Sequence, residues 1–229
     1  MKIFLNLVFV TTALLVCCTT VNAQTQTQTQ TQTQTQTPAP TATQTHAPSP
    51  LVKQIQSMLA KPTTLCGRFD QTKTLNGMKK PLLSSGRFCV VNGKGVVWRT
   101  LQPFSSTLRL TRDEIVNYQG DKVAMRLDAK QEPTVRIINS VLFSLLAGDL
   151  EQLDTLFVVD GKVTGNNWHV ALTARQPALA KAIGSISLDG ALYVNGIHMN
   201  EASGDHTSIV FSGIQTGDKA MQAEETALF

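Results

Sequence analysis

Leu65-Cys66-Gly67-Arg68-Phe69-Asp70-Gln71-Thr72-Lys73-Thr74-Leu75 and Leu82-Leu83-Ser84-Ser85-Gly86-Arg87-Phe88-Cys89-Val90-Val91 decide the fold of this chain. Placing Cys66 directly across from Cys89 makes the two runs a hairpin. Gly67 then faces Phe88, Phe69 faces Gly86 and Leu75 faces Lys80, with Asn76 to Lys79 as the loop. Side chains alternate between faces with period two. Leu65, Phe69, Leu75, Leu82, Phe88 and Val90 therefore share one face, and Cys66, Arg68, Asp70, Arg87 and Cys89 share the other. An apolar face and a polar face separate cleanly, which is what specifies a strand register. The same register sets Arg68 against Arg87, a repulsive cross-strand pair, with Asp70 diagonal to Arg87 and able to offset it.

Further strands follow with short turns. Gly95–Leu101, Ser105–Thr111, Ile115–Tyr118 and Lys122–Leu127 continue an antiparallel meander. Glu132-Pro133 breaks it. From Arg136 to Ala147 the apolar positions Ile137, Ile138, Val141, Leu142, Leu145 and Leu146 have helical spacing, and Gly148 is a natural stop. A turn of helix near Leu150–Leu153 precedes strands at Thr155–Val159 and Trp168–Thr173. Gln176–Ile183 reads as a short helix opening on Pro177. Strands at Ser185–Leu188, Ala191–Met199 and Ser208–Gly213 complete the set. Asp189-Gly190 is a turn signal, while Asn195-Gly196 is either a second turn or a bulge. The total of about eleven strands and two to four helices predicts an α+β fold, one curved antiparallel sheet with helices on one face.

Upstream, Pro50 opens a helix capped by Ser49, with Leu51, Ile55, Met58 and Leu59 as its apolar stripe and Pro62 as its stop. Residues 24–49 are a Gln/Thr-repeat and Pro-rich tract with almost no apolar surface to bury, so disorder is expected. As a coil of about 27 residues it would reach roughly 30 Å. Residues 1–23 have the parts of a secretory signal: Lys2, an apolar middle, and Val21-Asn22-Ala23 before Gln24. The alternative processing is lipidation at Cys17 or Cys18, since Leu14-Leu15-Val16-Cys17 loosely resembles a bacterial lipobox. The ordered domain is read as residues 50–215, and residues 216–229 as a flexible polar tail. Export predicts a periplasmic location. In that oxidising compartment Cys66 and Cys89 read first as one disulfide, with two free buried cysteines as the alternative.

The net charge of +4 is too mild to suggest nucleic acid. The distribution says more. Arg68, Lys73, Lys79, Lys80, Arg87, Lys94, Arg99, Arg109 and Arg112 fall in a stretch whose one acid is Asp70. One end of the sheet should be positive, suited to an acidic partner or an anionic headgroup, or simply be a solvated face. No G-x-S-x-G elbow, H-E-x-x-H or phosphate-binding glycine loop is present, and no serine has a base at informative spacing. Of the four histidines, His46 lies in the linker. His169 and His198 could form a metal site with Asp205, but their spacing does not require it, and His206 falls on a separate turn. No metal, cofactor or enzymatic activity is therefore expected.

These residues resemble a known family. Phe69-x-Gln71-x-Lys73, Ser85-Gly86-x-Phe88, Gly95-Val96-Val97-Trp98 with Pro103-Phe104, and Leu110-Thr111 look like the start of the periplasmic outer-membrane lipoprotein carrier family LolA. The order continues through the Asn117-Tyr118-Gln119-Gly120 turn, the helical interruption, Trp168-x-Val170-x-Leu172-Thr173 and the late strands about Asp189-Gly190. The likeness spans roughly Pro50 to Ile214 and is that of a divergent member. It implies a curved, incomplete antiparallel β-barrel closed by a helical lid, whose concave apolar face holds lipoprotein acyl chains. It further implies delivery by an inner-membrane ABC-type lipoprotein-releasing complex and transfer to an outer-membrane receptor. A family arginine beside a proline near Trp98 helps to regulate the lid. Here Gln102 precedes Pro103 and Arg99 stands three positions away, which makes Arg99 a displaced candidate for lid control.

An acyl chain requires a dry apolar cleft and no catalytic group. Phe69, Phe88, Val97 or Trp98, Leu108, Leu110 and Met125 are the candidates to line it, with Leu142, Phe143, Leu145 and Leu146 covering it from the helix. The same residues could instead fill a closed core. The leading expectation is a monomeric carrier of acylated lipoproteins or other lipids. The alternatives are a lipid-anchored receptor of the same fold, or an enzyme on a lipid-like intermediate.

Overall fold

The structure, a computed structural model, describes residues 49–128, 140, 141, 143, 144 and 146–229. The expected signal sequence, Cys17, Cys18, most of the Gln/Thr linker, Glu132-Pro133 and Leu142 lie outside the described residues.

β1 (Thr64–Thr74), β2 (Leu82–Val91), β3 (Gly95–Gln102), β4 (Ser106–Leu110), β5 (Glu114–Gln119) and β6 (Lys122–Asp128) form one antiparallel meander. β7 (Phe157–Thr164), β8 (Asn167–Ala174), β9 (Ser185–Gly190), β10 (Val194–Asn200) and β11 (His206–Thr216) form the other half. Pairing of β1 with β11 joins them into one eleven-stranded sheet in the order β6-β5-β4-β3-β2-β1-β11-β10-β9-β8-β7. The end strands β6 and β7 do not pair with each other, so the barrel is incomplete.

The first hairpin has the register expected from its alternation. Cys66 pairs with Cys89, Gly67 with Phe88, Arg68 with Arg87 and Phe69 with Gly86. The ladder ends at Lys73 and Leu82, so Leu75 and Lys80 belong to the connection rather than to the sheet. The inward row meets aromatic side chains from neighbouring strands. Phe69 stacks on Trp98 at 3.9 Å between ring centroids, and Phe88 lies 4.7 Å from Phe211. Such pairs add about 0.5–1.5 kcal/mol each beyond the area they bury. Lys73 also points inward. It is almost wholly buried and its Nζ meets Glu201 Oε1 at 3.0 Å.

Helices close one face of this sheet. Helix Pro50–Met58 starts at Ser49, whose hydroxyl accepts from the Val52 amide at 3.3 Å, and it buries Val52 and Ile55. Residues 140, 141, 143, 144, 146 and 147 are helical, and Gly148 ends the segment at φ 68°. That conformation costs glycine little, which is why the sequence stops there. Helix Leu150–Leu156 is capped by Asp149 and buries Leu150 and Leu153. It delays β7 to Phe157, two residues later than the sequence pattern suggests. Helix Pro177–Ile183 joins β8 to β9.

Two local expectations are corrected and one open alternative is decided. Asp189 and Gly190 are the last residues of β9, and the turn falls at residues 191–193. Gly190 is needed for close approach: a Cβ there would collide with the Trp168 indole, whose Nε1 donates to the Ala191 carbonyl at 2.9 Å. Asn195-Gly196 is a bulge in β10, where the pairing with β9 shifts between Val194 and Gly196. Finally, the last residues are not a loose tail. β11 extends to Thr216, and the segment folds back as a 3-10 turn Asp218–Ala220 and a short helix Ala223–Thr226.

Candidate functional site

The inner face of the sheet and the helices above it enclose one continuous apolar cluster. Near the β2–β3 turn this cluster is not filled. Among the described residues, a cavity of about 260 Å³ is bordered by Leu59, Leu65, Phe88, Val90, Phe211 and, from the helical residues above, Phe143 and Leu146. A second cavity of about 420 Å³ is bordered by Leu110, Phe143, Ser144 and Gln152 and by the Asn92–Gly95 turn. Phe143 borders both cavities, as do Asn92 and Asp149. The rims are polar. Lys61, Lys94 and Arg112 contribute cations, and Asp149 and Glu151 contribute acids. Inside the first cavity Gln56 is buried; its Nε2 donates to the Gly148 carbonyl at 3.1 Å.

The residues expected to line a cleft divide into two groups. Phe88, Leu110, Phe143 and Leu146 border these cavities. Phe69, Trp98 and Leu108 lie deeper, packed in the core and bordering neither. Met125 is partly buried and packs against that core. Val97 points to the outer face, opposite Cys89. Phe211, Val194 and Leu59 border the first cavity but were not expected to. Phe211 belongs to β11, and only the β1–β11 pairing, to which no short-range pattern points, brings it beside Phe88.

Arg99, the candidate for lid control, lies on the face of the sheet away from the apolar interior. Trp98 faces the core, so by alternation Arg99 faces outward. There its Nη1 reaches Gln222 Oε1 at 3.3 Å and Glu224 Oε2 at 3.4 Å. The outer face also carries the Cys66–Cys89 disulfide, buried beneath Ala220, Met221 and Phe229. Arg87 meets Glu225, not Asp70, at 2.9 Å. Arg109 pairs with Glu114 and donates to the Leu228 carbonyl at 3.4 Å. Part of the positive face is thus covered by the acidic end of the same chain.

The histidines are placed as follows. His169 and His198 do approach one another, but through Asp189 rather than Asp205, whose carboxylate accepts from the Asn76 amide at 2.8 Å. His206 Nδ1 lies 2.6 Å from Asn200 Oδ1.

An open antiparallel sheet curled around an apolar interior, with helices over one mouth, is the incomplete barrel of the LolA-like fold. The chain belongs to the family described as outer membrane lipoprotein carrier protein LolA-like, which it matches over residues 42–228. No curated protein matches it. Among solved structures it is similar to a LolA superfamily protein from Nitrosomonas europaea, at 9% identity and TM-score 0.43, covering 73% of this chain and 92% of that one. It is similar to the Pseudomonas aeruginosa MucA/MucB complex structure at 13% identity and TM-score 0.44, covering 77% of this chain and 62% of that one. It is also similar to an outer membrane lipoprotein-sorting protein domain from Vibrio parahaemolyticus, at 8% identity and TM-score 0.41, covering 78% and 96%. The family match carries the assignment. Among the described residues, no helix is long and apolar enough to cross a membrane.

Proposed function

We propose that this protein is a non-catalytic periplasmic carrier that binds acyl chains of lipoproteins, or of a related lipid, and moves them from an inner-membrane ABC-type releasing complex towards an outer-membrane receptor. The observation that carries this reading is the pair of adjoining cavities, part apolar and part polar, that open beside the apolar interior and share Phe143. Burying a methylene is worth about 0.8 kcal/mol, so a hydrocarbon chain needs only apolar walls and exclusion of water. The smaller cavity, at about 260 Å³, lies just below the ~300–1,000 Å³ range of ordinary ligand pockets. Rotation of Phe143 would unite it with its neighbour. The helical residues around Phe143 and Leu146 then act as the lid, and Lys61, Lys94 and Arg112 at the rims suit an anionic headgroup. Export by cleavage after Ala23 completes the proposal, with the Gln/Thr tract as a spacer.

A titration with a fluorescent fatty acyl probe tests it. Saturable uptake, competed by unlabelled acyl chain and weakened by Phe143→Asp, is the expected result; no saturable uptake by the folded protein would refute it. The mature N-terminal residue separates a free shuttle from an anchored receptor. Gln24 supports the shuttle, and an acylated Cys17 or Cys18 supports the receptor.

A further inference from the structure

His169 on β8, Asp189 on β9 and His198 on β10 occupy three adjacent strands, and all three point to the outer face, away from the apolar core. His169 pairs directly across from Asp189, and its Nδ1 lies 2.8 Å from Asp189 Oδ1. His198 stands diagonal to Asp189, and its Nε2 lies 3.3 Å from the other oxygen, Oδ2. One carboxylate thus gathers an imidazole on each of its oxygens. From these positions we propose that His169, Asp189 and His198 form a binding site for a divalent late first-row transition-metal ion, Zn²⁺ or Cu²⁺.

The donor set fits that ion class. Two imidazoles and a carboxylate suit Zn²⁺ and Cu²⁺, whereas Ca²⁺ and Mg²⁺ take oxygen ligands. Metal–ligand bonds of about 2.0–2.1 Å set neighbouring tetrahedral ligand atoms roughly 3.3 Å apart. The two nitrogen–oxygen separations, 2.8 and 3.3 Å, are hydrogen-bond contacts to different carboxylate oxygens, and the three ligand atoms do not all lie within 4.8 Å of one another. The imidazoles grip different oxygens, so an ion requires both rings to turn towards a common point. All three side chains are 40–45% exposed and can make that turn, and the outward side is left for water ligands. Their backbones are fixed by the ladders of the sheet.

The β10 bulge supplies the space. Gly196 lies across from Asp189, and the nearest atoms to a Cβ built there are Asp189 Cβ at 3.4 Å, His198 Nε2 at 3.5 Å and Asp189 Oδ2 at 3.6 Å. A Cβ there would make ordinary contact with these atoms, and a long side chain such as leucine would reach the space where His198 and Asp189 meet. Lys162, on β7 directly across from His169, is the neighbouring cation and is exposed to solvent. The site lies on the β8–β10 half of the outer face, while the cavities lie on the inner face. Failure of the carrier reading would leave it standing.

The test is equilibrium titration of untagged, chelator-stripped full-length protein with Zn²⁺ and, separately, Cu²⁺. One equivalent of ion per chain is expected. Loss of an outer-shell partner costs ~10–100-fold in metal affinity, so His169→Ala or His198→Ala, each removing a direct ligand, should cost at least about tenfold. Gly196→Leu should weaken binding in the same direction with all three ligands kept. His206→Ala should leave the titration unchanged. Thermal midpoints in chelator verify that each variant is folded. Absence of a one-to-one isotherm in the wild type, or its persistence in the His169/His198 double alanine variant, would overturn the site.

Discussion

Arg87 Nε and Glu225 Oε1 meet at 2.9 Å across 138 residues of sequence, with the carboxylate only 1% exposed. Glu225 also accepts from the Gln222 amide at 2.8 Å, closing the first turn of the last helix as a capping box. One side chain therefore both caps the helix Ala223–Thr226 and docks it on β2. Arg68 and Arg87 face each other across β1 and β2, and Arg87 faces Arg99 across β2 and β3. Like charges in that row repel. The acidic C-terminal segment offsets the repulsion and covers the disulfide beneath it.

Substituting Glu225 should unfold more than one contact. Breaking a buried pair costs ~3–5 kcal/mol where the surviving charge stays buried. Arg87 is 20% exposed and keeps the Ala220 carbonyl as an acceptor, which reduces the penalty. Glu225→Gln should lower stability by about 2 kcal/mol in urea denaturation. Glu224, which is 69% exposed, should tolerate the same change within about 0.5 kcal/mol. Equal effects at the two positions would contradict the burial argument.

Reduction of Cys66–Cys89 should be felt globally. The bridge spans 23 residues and removes loop freedom from the unfolded chain, worth about 3 kcal/mol. Denaturation curves with and without reductant should differ by that amount. Intact-mass measurement of the unreduced protein should show two fewer hydrogens than the free-thiol form.

Lining and core residues should separate in experiment. Phe69→Ala removes a ring stacked on Trp98 and should cost about 3–5 kcal/mol of stability. Phe143 is only partly buried, so Phe143→Asp should cost less stability while reducing acyl-probe uptake at least about tenfold. Parallel loss of stability and uptake in both variants would remove Phe143 from the proposed cleft.

Arg99→Ala provides the negative control for the lid. Its partners are Gln222, Glu224 and, at 3.9 Å, Glu225 on the outer face, so acyl-probe affinity should be unchanged. Stability should fall by less than about 1 kcal/mol. A marked change in probe affinity would return Arg99 to the lid.

Gly190→Val tests close packing at the β9–β10 turn. The added side chain would collide with Trp168, and overpacking of this kind costs about 1–3 kcal/mol. A drop in thermal midpoint with quenched or shifted Trp emission is expected; an unchanged midpoint would show that the indole can move aside.

The sequence by itself determined the strands, their antiparallel order and the register of the first hairpin, because period-two alternation and the Cys66/Cys89 match are local signals. It also placed helix starts at Pro50 and Pro177 and the stop at Gly148, since proline and glycine act through their own backbone preferences. Local pattern misled at Asp189-Gly190, where the indole of Trp168, from another strand, decides the use of the glycine. Only the tertiary structure joined β1 to β11, brought Phe211 to the cavity beside Phe88, and turned a polar tail into a strap over the arginine row. It alone exchanged Asp205 for Asp189 beside His169 and His198. The first three contacts lie far apart in sequence and form only when the two halves of the sheet and the C-terminal segment come together; the exchange of Asp205 for Asp189 follows from the register of β8, β9 and β10. The sequence showed which faces were apolar; whether that interior was filled or left open near Phe143 depended on how the helices settled over the sheet.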